Sequence, residues 1–171
     1  MALIKEVRGH TPTLPESCYL AENATIIGDV VLGEQCSIWF QTILRGDVNS
    51  IRIGDQTNIQ DGTMVHCTFQ GASTTIGSRV SIGHKAIIHG CTLQDEVLIG
   101  MGAIVMDHTV VESGAIVAAG AVVPESTIVK GGYVYAGVPA KPIKPISEAQ
   151  REMIRRTAGN YIKYSGWYQE G

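Results

Sequence analysis

Aliphatic residues recur every six positions along most of this 171-residue chain. Every member of the series is Leu, Ile or Val, and the members are Leu14, Leu20, Ile26, Leu32, Ile38, Leu44, Ile53, Ile59, Val65, Ile76, Ile82, Ile88, Leu93, Ile99, Val105, Val111, Val117, Val123 and Val129. A period of six fits neither the turn of an α-helix nor the alternation of a hairpin meander. It is typical of a parallel β-solenoid, in which short strands alternate with corners and coils stack. We therefore predict an all-β solenoid.

The interruptions of the repeat indicate how many strands make one coil. They follow the hexads that begin at 44, 65 and 88, which are the sixth, ninth and twelfth of the series. A stacked core tolerates inserted residues only where loops can leave it, so all interruptions lie at one corner of a three-sided prism. The coils are then residues 14–31, 32–49, 53–70, 76–92, 93–110 and 111–128, with a partial turn from Val129.

The repeat also divides the chain into segments. Residues 1–137 are predicted to form the β-helix with a short N-terminal lead. Pro139, Pro142 and Pro145 make residues 138–146 an extended connector that leaves the stack. Ser147 and Gln150 form a capping-box signature. Residues 147–171 are therefore predicted to be a C-terminal helix that packs on the prism.

Composition excludes several classes of partner. The net charge of −3 and the 17% of charged residues give no electrostatic reason to expect nucleic acid or a membrane surface as a partner. The N-terminus lacks the apolar core of a secretory signal, and no run is long enough to span a bilayer. The four cysteines have no C-x-x-C spacing, so reduced thiols in a cytoplasmic protein are expected. A small-molecule substrate is the expected partner.

Three histidines occupy related positions on the prism. With three hexads per coil, His66 and His89 stack in successive coils, about 4.8 Å apart at the backbone. His84 lies on the adjacent face, above Asp61, and its side chain diverges from that of His89. One ion can therefore bind His66 and His89 of one chain and His84 of a neighbour. This arrangement predicts a C3 homotrimer with metal sites at its subunit interfaces.

Four motifs carry a narrower resemblance: LRGD at 44–47, NIQDG at 58–62, His66, and GHKAIIHGC at 83–91. Together they resemble the γ-class carbonic anhydrases, which are hexapeptide-repeat proteins, and the resemblance covers nearly the whole chain. It implies a left-handed parallel β-helix with a C-terminal α-helix. It also implies that His66, His84 and His89 are the metal ligands. The metal is usually Zn2+, with Fe2+ or Co2+ as alternatives, and three histidines with an open position fit a catalytic zinc site.

The same resemblance implies roles for residues around the metal. Gln60 matches a residue that hydrogen-bonds near the metal-bound water, and Asn58 matches a neighbouring polar residue. Tyr161 on the helix either reaches the pocket or packs in the core.

The resemblance further implies an ion pair at the subunit interface. Arg45 matches an arginine that pairs across this interface with Asp47 or Asp61. Such a pair sets registry more than it adds net stability.

The reaction that the resemblance implies is attack of metal-bound hydroxide on CO2 to give bicarbonate. The chain departs from the best-studied members, because the segment CTFQGASTT at 67–75 has no Asp or Glu and Val48 follows Asp47. We therefore expect hydration to lack its usual proton shuttle, and two alternatives stay open. One is a hexapeptide acyltransferase or acyl-CoA thioesterase, since GVPAKPI at 137–143 resembles a segment of acyltransferases. The other is a non-enzymatic metal- or siderophore-binding trimer.

Overall fold

The computed structural model describes residues 1–169, which form a parallel β-solenoid of about seven turns followed by one helix. The solenoid is a left-handed β-helix, so the predicted fold class is confirmed. Positions 170 and 171, at the end of the predicted helix, lie outside the described residues.

The helix, α1, spans Glu148–Gln169. The strands, β1 to β19 in chain order, are Leu3–Lys5, Tyr19–Leu20, Thr25–Leu32, Ser37–Ile38, Ile43–Ile53, Asn58–Ile59, Met64–His66, Thr74–Ile76, Ser81–Ile82, Ile87–His89, Thr92–Leu93, Leu98–Ile99, Ile104–Val105, Val110–Val111, Ile116–Val117, Val122–Val123, Ile128–Val129, Tyr133–Ala136 and Lys141–Pro145.

The strands form the three faces that three hexads per coil require. The first face stacks the first parts of β3 and β5 with β7, β10, β13 and β16. The second face stacks the second parts of β3 and β5 with β8, β11, β14 and β17. The third face contains β2, β4, β6, β9, β12, β15, β18 and β19. Because β3 and β5 continue around one corner, the first two faces are a single sheet.

The repeated aliphatic side chains fill the interior of the prism. All of them are buried except Leu14 and Leu20, which lie near the N-terminal end and are partly exposed. Small residues share the interior, and where these are threonines their hydroxyls bond to the neighbouring coil. Thr42 Oγ1 donates to the carbonyl oxygen of Gln60 at 3.0 Å, and Thr63 Oγ1 to that of Gly83 at 3.1 Å. The core is therefore apolar, and its hydroxyl groups are satisfied.

The corners are built from residues with left-handed backbone conformation. The third residue after the aliphatic has positive φ in successive hexads, for example 57° at Gln56, 58° at Lys85 and 66° at Gly102. Sequence reasoning did not identify these positions. Glycines directly follow several of the aliphatic residues, because the coils approach each other closely there. A Cβ at Gly100 would lie 2.3 Å from the backbone nitrogen of Ala119.

The proline-rich segment does not leave the stack as the sequence suggested. Its strand β19 turns back and pairs antiparallel with β18, with Tyr133 opposite Pro145 and Tyr135 opposite Pro142. Proline fits this position because an edge strand needs no N–H groups on its outer side. The division into residues 1–137, 138–146 and 147–171 stays a prediction.

Helix α1 begins with the expected cap and lies along the third face. The Ser147 backbone N–H donates to Gln150 Oε1 at 3.0 Å, and the Gln150 N–H donates to Ser147 Oγ at 3.3 Å. Its buried Ile154 clusters with Ile116 and Val134 of the third face. Within residues 1–169, no helix is both long and apolar enough to cross a membrane.

Candidate metal centre

His66 and His89 are neighbours on the first face. They end strands β7 and β10 and lie directly opposite each other in the parallel register. His66 Nδ1 is 3.1 Å from His89 Nε2, and the ring centroids are 5.1 Å apart. The structure therefore brings together the two histidines that the sequence stacked.

Each of these rings has its other nitrogen against a carboxylate. His66 Nε2 is 3.1 Å from Asp47 Oδ1, and His89 Nδ1 is 2.5 Å from Asp107 Oδ1. A neutral imidazole has one N–H, and a carboxylate takes it as a hydrogen bond. Two lone pairs then face each other across the gap, which is unfavourable unless a cation lies between them. Two nitrogens bound tetrahedrally to one zinc ion are about 3.4 Å apart, so the spacing fits a shared ion.

His84 lies apart from this pair, at the corner after β9 on the third face. Its Nδ1 is 2.8 Å from Asp61 Oδ2, so the same logic leaves Nε2 as the free donor atom. The side chain is 42% exposed, which leaves it accessible to a second chain. In the described part of one chain, no group of three His, Cys, Asp or Glu residues is placed to hold an ion. One chain thus offers a pair of ligands and a separate single ligand.

The charge states around His66 suit a metal ligand. Burial lowers the pKa of the His66 imidazole and favours its neutral form. Burial by itself would raise the pKa of Asp47, but hydrogen bonds from Arg45 and His66 outweigh it and hold that pKa below its usual value. Asp47 is therefore charged and His66 neutral, the states that metal binding needs.

Three supporting residues were missed by sequence reasoning. Asp107 follows β13, and Thr68 and Thr74 belong to the segment 67–75. Burial would raise the pKa of Asp107, but hydrogen bonds from Thr68 and His89 keep it below its usual value. The signal available was positional, because Asp107 lies above Gly90, the residue that follows a proposed ligand.

Gln60 and Asn58 form a buried amide chain beside His84. Gln60 Nε2 donates to Asn58 Oδ1 at 3.0 Å, and Asn58 Nδ2 donates to Ser81 Oγ at 2.8 Å. This chain leaves Gln60 Oε1 as an acceptor without a partner among residues 1–169. Gln60 and His84 both line a groove of about 410 Å³ that continues along the apolar third face past Leu98. Gln60 can therefore accept a hydrogen bond from a molecule in this groove.

Tyr161 packs in an aromatic cluster and also lines a cavity. Its ring meets Trp39 edge-on with centroids 5.4 Å apart, and Tyr164 at 5.5 Å. The cavity, of about 250 Å³, includes Asp61 and His84 in its wall. Burial raises the pKa of Tyr161 to about 12, so its hydroxyl stays a donor at neutral pH. The position of Tyr161 is therefore consistent with both predictions made for it, packing in the core and access to the pocket.

The proposed interface residues pair within one chain in the structure. Arg45 Nη1 is 2.6 Å from Asp47 Oδ2, whereas Asp61 pairs with His84. Asp47 thus links Arg45 to His66. Pairing of Arg45 across an interface stays a prediction.

Comparison with known proteins gives close relatives. The carbonic anhydrase of Geobacillus kaustophilus is 40% identical over 167 residues, which cover 98% of this chain and 91% of that protein. Gamma carbonic anhydrase 2, mitochondrial, of Arabidopsis thaliana is 43% identical over 157 residues, which cover 89% of this chain. The chain spans only 56% of the length of that plant protein. No protein-family profile matches the chain.

A solved structure shares the whole fold. The hexapeptide transferase family protein from Anaplasma phagocytophilum superposes with a TM-score of 0.93 at 43% identity. The match covers 97% of this chain and 98% of that one. The likeness therefore includes the helix as well as the solenoid.

Proposed function

The chain belongs to the γ-class carbonic anhydrase family of hexapeptide-repeat proteins, and on that premise we propose that it is a zinc-dependent carbonic anhydrase that acts as a homotrimer. The proposed reaction is the reversible hydration of CO2 to bicarbonate. Relatives named carbonic anhydrase imply a metal cofactor, and the choice of zinc is part of the proposal.

The single observation that carries the proposal is the pair of facing ring nitrogens of His66 and His89, 3.1 Å apart. Each ring has its other nitrogen held by an aspartate, which is the usual support of a metal-binding histidine. When each ring donates its N–H to its aspartate, the two remaining lone pairs point to one place, which suits a shared cation.

The three histidines form a donor set that suits a transition-metal ion. His66 and His89 of one chain and His84 of a second copy would hold zinc, with Fe2+ or Co2+ as alternatives. Three imidazoles with an open fourth position are the donor set of a catalytic zinc site. When bound, zinc lowers the pKa of a water molecule toward about 7 and so supplies a nucleophile at neutral pH.

The apolar surface beside the histidine pair supports the proposed trimer. Ile43, Met64, Ile87 and Ile104 form a ladder on the outside of the first face, in register from coil to coil. Ile43 is 38% exposed and Ile87 is 40% exposed, so a row of aliphatic side chains borders the proposed site. In the proposed trimer this row is buried against a second copy, whose His84 completes the donor set. A heterologous interface that repeats three times closes as a C3 ring, which suits a three-sided prism.

The polar residues around the site have distinct proposed roles. Gln60, fixed by Asn58, accepts a hydrogen bond from the attacking water or hydroxide through Oε1. Tyr161 closes the cavity beside His84 and presents a protonated hydroxyl.

The carboxylates hold the ligands and the register of the subunits. Asp47 orients His66 and is itself held by Arg45, while Asp61 orients His84. Since both aspartates are bound to proposed ligands, they are poor candidates for proton transfer to solvent. With no acidic residue in segment 67–75, turnover is expected to depend on the concentration of the buffer.

One observation favours a second function. The groove that begins at Gln60 and His84 is about 410 Å³ and largely apolar, far larger than CO2 requires. An acyl group could occupy it, which suits hydrolysis of an acyl-CoA thioester or acyl transfer. Carbon dioxide hydration is the better supported reaction, because full-length relatives are named for it.

Two measurements on the purified protein test the proposal. Zinc content is expected at about one ion per chain, and a stopped-flow assay is expected to show CO2 hydration that requires the metal. Bound zinc without hydration would favour thioester hydrolysis, to be assayed with acyl-CoA, or a non-enzymatic metal- or siderophore-binding trimer. Absence of zinc binding by a folded trimer would refute the metal site. The proposed compartment is the cytoplasm, since all four cysteines are free thiols.

A further inference from the structure

Segment 67–75, which follows β7 and includes the start of β8, supports the histidine pair although it carries no acidic residue. Its first contact is with Asp107. The hydroxyl of Thr68 donates to Asp107 Oδ2, and His89 Nδ1 bonds to Asp107 Oδ1 at 2.5 Å. Both oxygens of the carboxylate are therefore engaged, and its plane is fixed relative to the imidazole.

The Asp107 carboxylate occupies the space that a side chain at position 90 would fill, and residue 90 is glycine. A Cβ on Gly90 would lie 2.5 Å from Asp107 Oδ1 and 2.7 Å from its Cγ. Any side chain there would displace the carboxylate from His89. Gly90 also has φ of +55°, a conformation that other residues adopt at a cost.

The segment makes a second contact at its other end. Thr74 Oγ1 donates to the carbonyl oxygen of His66 at 2.6 Å and accepts from the N–H of Gly90 at 3.0 Å. This hydroxyl ties the end of β7 to the end of β10, at the positions of the two histidines. The segment thus braces both proposed ligands from one side.

These contacts have one consequence for the chemistry of His89. The carboxylate of Asp107 retains the proton on Nδ1 and so leaves the lone pair on Nε2, the atom that faces His66. We propose that Asp107 and Thr68 are positioning residues that fix the tautomer and orientation of His89 for metal binding. This inference rests on the proposed function, because it assigns the support of that same site.

The test compares matched substitutions in the full-length protein. Asp107→Ala removes the acceptor, Thr68→Val removes the hydroxyl that holds it, and Thr68→Ser retains that hydroxyl. Asp95→Ala is the control, since Asp95 Oδ1 accepts the Ser78 N–H at 2.8 Å at another corner of the prism. Zinc affinity is measured by competition with a chelator. The tautomer of His89 is read from its ¹⁵N resonances in the metal-free protein, assigned with His89→Asn.

Asp107→Ala is expected to weaken zinc binding by about 10- to 100-fold, the usual effect of losing such a partner. Thr68→Val should act in the same direction to a smaller extent, and Thr68→Ser should behave as the wild type. In metal-free Asp107→Ala, His89 should lose its preference for Nδ1–H, while Asp95→Ala retains it. A purely structural role would change thermal stability in all three alanine and valine variants but leave the tautomer and affinity unchanged.

The outcomes separate this inference from the proposed function. If the wild type binds no zinc, the proposed function fails, and the tautomer of His89 in the metal-free protein still decides the role of Asp107. If the wild type binds zinc and both Asp107→Ala and Thr68→Val bind it equally well, the positioning role is wrong. Should Asp107→Ala not fold, the pair Thr68→Val and Thr68→Ser decides it.

Discussion

His66 Nδ1 faces His89 Nε2 at 3.1 Å, and the opposite nitrogen of each ring is against an aspartate. The third proposed ligand, His84, is held in the same manner by Asp61 but at a different corner of the prism. An ion bound by all three must therefore be shared between two chains, and this geometry leads to the first prediction.

Metal binding should be restored by mixing two inactive variants. His84→Ala and His89→Ala are each expected to bind no zinc as homotrimers, because every interface lacks one ligand. Trimers that contain both variants should regain about one ion each, since one interface then has a complete set. Unfolding and refolding the mixture, followed by metal analysis of the trimer fraction, measures this.

The control for that experiment is a mixture of His66→Ala and His89→Ala. These residues belong to the same side of the interface, so no mixed trimer has a complete site. Recovery of zinc in this control, or none in the first mixture, would contradict the shared arrangement.

Gln60→Ala is expected to slow hydration without removing the metal. One hydrogen bond to the reacting species contributes about 1.4 kcal/mol, so kcat/KM should fall about tenfold. Stopped-flow hydration and metal analysis of the same sample check both parts. Gln94→Ala is a matched control, because Gln94 bonds to the Ser113 N–H at a distant corner and should leave hydration unchanged.

Tyr161→Phe should alter stability at high pH. The pKa of Tyr161 is about 12 in the folded protein against 10.0 for the ordinary side chain. Between these values the unfolded chain loses the proton and the folded chain retains it, so stability falls as the pH rises from 10 to 12. The variant should lose less stability over this range, as measured by thermal unfolding. Identical pH profiles for the two proteins would show that burial does not act on this hydroxyl.

Substitution of alanine for Gly100 and for Gly159 should change the free energy of unfolding in opposite directions. At Gly100 a Cβ would meet the backbone of Ala119 at 2.3 Å, so Gly100→Ala is expected to lower the free energy of unfolding by about 1–3 kcal/mol. At Gly159, inside α1, no atom of residues 1–169 outside the adjacent helix backbone lies within 4 Å of the added carbon. Gly159→Ala should raise the free energy by about 0.5–1 kcal/mol, because alanine favours the helix. Urea unfolding compares the two, and a loss of stability at Gly159 would count against the described packing.

The solenoid and the stacking of His66 on His89 were predictable because both follow from counting positions. Each hexad adds one side of the prism, so the stacking of His66 on His89 needed only the period and its interruptions. The corner conformation at residues such as Lys85 and the antiparallel pairing of β19 were not predictable in this way. They depend on backbone torsions and on a turn outside the repeat.

The supporting residues were missed for a related physical reason. Asp107 lies one position out of the His89 column, and only the direction of its side chain brings it to the ring. Thr68 lies just before the interruption at 71–75 and Thr74 lies within it, where the repeat does not fix side-chain directions. Counting positions in the repeat locates a proposed ligand on the prism. It does not locate the side chains that hydrogen-bond to that ligand and orient it.

The antiparallel strand β19 has a consequence for the colloidal behaviour of the protein. The end of a stack of parallel coils resembles the end of a growing fibril. Its last strand has unpaired backbone N–H and C=O groups, which can pair with an extended segment of another chain. In this protein the last parallel strand, Tyr133–Ala136, pairs with Lys141–Pro145. The prolines of that second strand have no N–H groups to donate at the new sheet edge. Removing this cover would convert the end of the prism into a template for aggregation.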